Sequence, residues 1–193
     1  HTMEEMAEAV HAVFSELKIT SKARVIGHSM GGYVSLAFLE KHPQLVKQII
    51  LMNSTPEADS EERKENRDRA IALVKKNPST FISMALANLF SSENREKYNS
   101  EFEKLKKEAL SNSVQGIIAA AEGMKIRTNK EFVLQKANIP KILISGKKDP
   151  ILNYDQLEII AKATGVVFFS LDGGHLSFIE NKRELRKMLH FID

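Results

Sequence analysis

One decapeptide limits the folds open to this chain more than any other. Ala23-Arg24-Val25-Ile26-Gly27 is a short apolar run with β-branched residues, and it passes directly into His28-Ser29-Met30-Gly31-Gly32 and then into the apolar stretch Tyr33 to Leu39. The pattern predicts a strand, a sharp turn and a helix with no linker between them. So tight a turn needs glycines, because backbone approaches backbone where a side chain would clash. It lifts Ser29 above the strand end, with the N–H groups that follow and the positive end of the helix dipole facing any developing negative charge. A phosphate-cradling loop fits less well: it would need Lys and then Ser or Thr after its last glycine, and Tyr33-Val34 stands there.

The remaining pattern is an α/β alternation interrupted once. Thr2-Met3-Glu4-Glu5 has capping-box spacing, and Met6, Val10, Val13, Phe14 and Leu17 recur at helical intervals, so the chain opens on a helix. The helix after the turn should end near His42-Pro43, and Gln48 to Asn53 reads as a second buried strand. From Pro56 to Asn138 charge runs such as Glu61-Glu62-Arg63-Lys64-Glu65 accompany helical periodicity with almost no strand signal, which predicts a helical insertion. Ile139 to Gly146 restores a strand, Gln156 to Lys162 a helix, Val166 to Leu171 another strand and Phe178 to Ile192 a last helix. The organisation expected is therefore an α/β core in two parts, 1–55 and 139–193, around an insertion at 56–138.

Composition narrows the function classes. Hydrophobic residues make up 42% of 193 and charged residues 27%, enough apolar material for a real core. The net charge is only +3 and basic residues are interleaved with acidic ones, so nucleic acid is not an implied partner. No run approaches the 18 or so apolar residues of a membrane span, and His1 to Glu8 do not resemble a signal peptide; no membrane association is expected. The absence of cysteine removes disulfides, thiolate zinc sites, iron–sulfur clusters and a Cys nucleophile, and fits a cytoplasmic location.

Gly27-His28-Ser29-Met30-Gly31 has the Gly-x-Ser-x-Gly form of a nucleophile elbow in its strand–turn–helix context. A serine hydroxyl attacks only when a base takes its proton, so a histidine held by a carboxylate is required. His1 and His11 fall in the first helix, His42 at the end of the next, His190 in the last, and His28 inside the elbow. His175 lies in the turn Asp172-Gly173-Gly174-His175 after the last strand, on the sheet edge that carries Ser29, and is the base candidate. Asp149, just past the Ile139–Gly146 strand, is the acid candidate; Asp172, Glu57 and Asp59 are its competitors.

Together the elbow, the loop Gly146-Lys147-Lys148-Asp149-Pro150 and Gly173-Gly174-His175 resemble the serine α/β-hydrolase family over nearly the whole chain. The resemblance implies an α/β fold, a mostly parallel sheet flanked by helices with an inserted helical cap at Pro56 to Asn138. It gives Ser29, Asp149 and His175 the roles of nucleophile, acid and base, leaves the Met30 backbone N–H as an oxyanion donor, and implies no cofactor and no metal. A serine at the elbow separates this chain from the haloalkane dehalogenase and epoxide hydrolase branches, which place aspartate there. One departure stands out. The family's eight-stranded sheet has strands ahead of the elbow, and a His-Gly loop there supplies the second oxyanion N–H; here a single helix precedes the first strand, no glycine precedes Gly27 and no His-Gly pair occurs. The chain resembles the C-terminal portion of such a hydrolase. Loss of one oxyanion donor costs about 10²–10³ in rate, so feeble activity is expected, and the first strand should present a bare edge covered by a homodimer or a partner segment.

The expected function is hydrolysis of a small carboxylic ester through an acyl-enzyme. Thioester or carbon–carbon bond hydrolysis on the same fold is an alternative, as is a ligand-binding or signalling protein derived from such a hydrolase. The substrate-binding candidates are His28 and, in the insertion, Phe81, Met84, Phe90 and Met124, any of which could instead serve packing.

Overall fold

The computed structural model describes residues 1–191. Helix α1 (Met3–Glu16) starts on the capping box at Thr2: the Glu5 N–H donates to Thr2 Oγ1 at 3.1 Å and the Thr2 N–H to Glu5 Oε2 at 2.8 Å. Strand β1 (Ala23–His28), helix α2 (Met30–Lys41) and strand β2 (Val46–Met52) follow, with a single 3-10 turn at Pro43–Leu45 where proline stops α2. The next helices are α3 (Glu61–Lys76), α4 (Pro78–Ala87), α5 (Asn99–Leu110), α6 (Val114–Lys125) and α7 (Glu131–Lys136). The chain then runs through β3 (Lys141–Gly146), α8 (Tyr154–Thr164), β4 (Val167–Leu171), α9 (Ser177–Glu180) and α10 (Lys182–Phe191).

The four strands form one parallel sheet in the order β1-β2-β3-β4, with His28 beside Met52, Met52 beside Ile144 and Gly146 beside Leu171. Alternate residues of the central strands feed two apolar layers. Ile49, Leu51 and Leu143 pack with α1, α2, α7 and α8, whereas Ile50, Met52, Ile142 and Ile144 pack on the opposite face with Leu171 and Leu185 of α10. Period-two alternation into two covered faces explains why β2 reads as an unbroken apolar run. Each such side chain, removed from water, stabilises the fold by about 1.5–3 kcal/mol before ordering costs. β1 is covered less fully, and Ile26 remains 46% exposed. Among the described residues no helix is long and apolar enough to cross a membrane.

Three sequence expectations change. Asn53 does not extend β2 but follows it with φ 45°, a left-handed conformation that asparagine tolerates better than most residues. The last helix is broken at Asn181 (φ −123°, ψ 33°), whose side chain lies against Gly173, so α9 and α10 are separate; Ile192, expected as its end, lies outside the described residues. Val133 and Leu134 of α7 belong to the apolar layer formed with α1, α2 and α8, against which Met124 of α6 also packs, so the 56–138 stretch contributes to the α/β core.

Candidate active site

The carboxyl ends of the four strands deliver, in spatial order, Ser29 after β1, Asn53 after β2, Asp149 after β3 and His175 after β4. Three strand spacings separate the first from the last, about 14 Å, so the later loops must lean back across the sheet. They do so by close backbone contact. Lys147 N–H donates to the Leu171 carbonyl at 2.8 Å and Lys148 N–H to the Gly173 carbonyl at 2.9 Å. A Cβ on Gly146 would sit 2.3 Å from the Gly173 oxygen, an approach only glycine permits.

At the elbow Ser29 has φ 52° and ψ −120°, a strained conformation of a kind that costs roughly 1–3 kcal/mol and persists only where its surroundings enforce it. The Ser29 N–H donates to the Met52 carbonyl at 3.0 Å, and the Ser29 carbonyl accepts from Gly32 N–H at 2.9 Å and Ser54 Oγ at 2.8 Å. Although Ser29 is the N-cap of α2, its hydroxyl makes no cap bond. It lies instead 2.8 Å from His175 Nε2. Met30 opens α2, so its N–H belongs to the helix start, where donors lack an intrahelical acceptor and the dipole favours negative charge.

His175 is 2% exposed. Its Nδ1 lies 2.8 Å from Asp149 Oδ2. The carboxylate also accepts from Asn53 Nδ2 at 2.9 Å, Ile151 N–H at 2.8 Å and Leu152 N–H at 3.1 Å. Burial pushes the Asp149 carboxyl up, but the hydrogen bond and charge of His175, with the bonds from Asn53 and Ile151, outweigh it and hold the group below its ordinary value. His28 sends its side chain to the same turn: Nε2 lies 2.8 Å from the His175 carbonyl, and its ring meets Phe178 edge-on at 5.0 Å. Burial holds the His28 imidazole below its ordinary value, so it is the neutral ring that donates to the carbonyl.

The competing acids are placed elsewhere. Asp59 is buried among Arg127 at 2.7 Å, Arg63 at 3.4 Å and Arg67. Burial raises its carboxyl, yet Arg67 and Arg127 hold it below the ordinary range. Glu57 accepts from Thr55 Oγ1 and Gln156 Nε2, and Asp172 has a side chain 76% exposed near Lys148. Of the substrate-binding candidates in the insertion, Phe90 is buried beside the rings of Tyr98 and Phe102, and Met124 packs against the core. Phe90 also lines an open cleft of about 510 Å³ with Pro150 and Ile151. Met84 is 53% exposed on α4, and Phe81 is half-buried on the same helix. Away from the site, Glu8, His11 and His42 bring ligand atoms within 4.8 Å of one another. The two imidazoles are stacked at 3.9 Å and 10°, which confines their in-plane lone pairs to nearly parallel planes, so no one ion lies on both.

Sequence reasoning missed Asn53 and Ser54. Their polarity directly after an apolar strand, at the sheet end that carries the elbow, was the available signal.

A parallel sheet with a strained serine at the end of β1, and an acid and a histidine delivered by later strands, defines the class of hydrolases built on the α/β-hydrolase fold. The chain belongs to the family described as the alpha/beta hydrolase fold, which matches residues 1–182. Among solved structures it is similar to a thermophilic esterase from Thermogutta terrifontis, with 29% identity and TM-score 0.90, covering 98% of this chain and 71% of that one. It is also similar in fold to an esterase from Exiguobacterium antarcticum (20% identity, TM-score 0.86, 99% of this chain and 73% of that one). The enol-lactonase from Burkholderia xenovorans is another such structure (21%, TM-score 0.87, 98% and 72%).

Proposed function

We propose that this chain is a serine hydrolase acting on small carboxylic esters through an acyl-enzyme. The observation that carries the reading is the unbroken hydrogen-bonded line Asp149–His175–Ser29, with both contacts at 2.8 Å. His175 Nε2 takes the hydroxyl proton as Ser29 Oγ attacks the ester carbonyl. Asp149 keeps the imidazole in the tautomer that presents Nε2 as acceptor and stabilises the cation that forms. The Met30 N–H, at the start of α2, offers a hydrogen bond to the tetrahedral oxyanion. His175 then returns the proton to the departing alcohol, and water, activated by the same imidazole, releases the acid. Nucleophile, base and acid all come from this chain's own side chains. The likeness to esterases and an enol-lactonase supports an acyl–oxygen bond as the one cleaved.

The test is pre-steady-state release of p-nitrophenol from p-nitrophenyl acetate, together with fluorophosphonate labelling. A burst and a label that both disappear in Ser29→Ala are expected. A ligand-dependent rise in melting temperature with neither burst nor label would favour a ligand-binding protein on the same fold.

A further inference from the structure

A second buried carboxylate stands behind the histidine turn. Glu180 closes α9, five residues past His175, and is 8% exposed. The bonds to its carboxylate come from neutral donors on the connector between α4 and α5. Ser91 Oγ donates at 2.6 Å, the Ser91 N–H reaches both oxygens at 3.3 Å, and Asn94 Nδ2 donates at 2.8 Å. The Tyr98 hydroxyl, at the far end of the connector, donates to the Glu180 carbonyl at 3.1 Å. A buried carboxylate without donors is costly, so lifting the connector would require Glu180 to regain its bonds from water.

The same connector touches the histidine itself. The His175 N–H donates to the Leu89 carbonyl at 3.0 Å, while the His175 carbonyl is held by His28 Nε2 from the elbow side. The backbone of His175 is thus gripped by the helical insertion on one side and by the elbow on the other. A Cβ on Gly174 would lie 2.5 Å from Ser91 N and 2.6 Å from Glu180 Oε1, so connector, carboxylate and turn are in direct contact.

We propose that Glu180 is a positioning residue for His175: by binding Ser91 and Asn94 it makes the seating of the insertion a condition for the imidazole to face Ser29. The insertion then does more than cover substrate; it completes the base. This rests on the catalytic roles of Ser29 and His175 proposed above.

The experiment compares the wild-type chain with Glu180→Gln, which keeps the shape but turns an amide toward donors, and with the pair Ser91→Ala and Asn94→Ala, which removes the partners from the opposite side. Each is assayed with p-nitrophenyl acetate and by proton NMR of the His175 Nδ1–H shared with Asp149. Glu180→Gln should lower kcat about tenfold or more with KM within about twofold, since small misplacement of a reacting group costs rate rather than binding. The Ser91/Asn94 variant should do the same, and combining all three changes should add little, as expected of groups acting as one unit. The downfield Nδ1–H signal should shift or broaden in folded Glu180→Gln. Unchanged kcat and an unchanged signal in a variant whose melting temperature has fallen would overturn the proposal and leave Glu180 a purely structural residue. Should Glu180→Gln not fold, the Ser91/Asn94 variant decides by the same criteria. Ser29→Ala separates the two readings: turnover that survives it sinks the catalytic assignment, whereas the Nδ1–H signal judges Glu180 without reference to turnover.

Discussion

Asp149 accepts four hydrogen bonds in a buried position, and the sum of its neighbours decides its charge. Asp149→Asn would retain the shape while favouring the wrong imidazole tautomer, so the proposed ester hydrolysis should slow by about 10³- to 10⁴-fold with folding preserved by circular dichroism. The depressed carboxyl also links folding to acidity. A group with a lower value folded than unfolded stabilises the fold fully above its unfolded value, about 3.9, and that contribution disappears as pH falls through the folded value. Asp59 acts with the same sign. Urea midpoints measured downward from pH 7 should therefore decline first below about 6.5, where the unfolded His28 imidazole takes up a proton that the folded one resists, and again below about 4, with a shallower second decline in Asp149→Asn, where one of the depressed carboxyls is gone. Asn53 binds both the Asp149 carboxylate and the Gly174 carbonyl at 3.2 Å, tying the β3 and β4 loops together from β2. Asn53→Ala should cost about 1–3 kcal/mol in denaturation.

At the scale of elements, the elbow shows which glycines the turn requires. A Cβ on Gly27 would lie 2.4 Å from the Gly31 carbonyl oxygen and from Ser35 Oγ, and one on Gly32 would lie 2.2 Å from Ser54 Oγ. Gly31 meets nothing within 4 Å. Chemical denaturation should find Gly27→Ala destabilised by about 1–3 kcal/mol and Gly31→Ala changed by no more than about 0.5 kcal/mol. The second required glycine thus lies one residue beyond the Gly-x-Ser-x-Gly pattern. Much of the rest was legible for local reasons. Strand–turn–helix order, the capping box at Thr2 and the apolar runs of β2 and β3 depend on near neighbours and stand in the sequence directly. The break at Asn181 was not legible, because Leu185, Met188 and Leu189 continue the apolar pattern while the interruption comes from packing against Gly173. The short α7, flanked by charges, resembled the insertion helices; only its tertiary partners assign Val133 and Leu134 to the core. Asn53, Ser54 and Glu180 escaped because their partners lie on other loops, from 25 to 121 residues away.

For the whole molecule, β1 is hydrogen-bonded to β2 on one side, and among the described residues no strand pairs with its other edge, where Ile26 is exposed. Val13 and Leu17 on α1 are also exposed. Such an edge recruits another strand, and we propose that either a second copy of this chain or a partner segment covers it. Sedimentation velocity at micromolar concentration should find dimers if the cover is a second copy, and a monomer throughout would rule that copy out. The bond from Leu89 to the histidine turn reaches further still. Exchanging the 56–138 region for that of a relative would also exchange the connector that, on the proposal above, seats the His175 imidazole. If Glu180 positions His175 as proposed, a chimera whose helical insertion lacks counterparts of Ser91 and Asn94 should turn over slowly, so insertion and histidine turn are best transplanted as a matched pair.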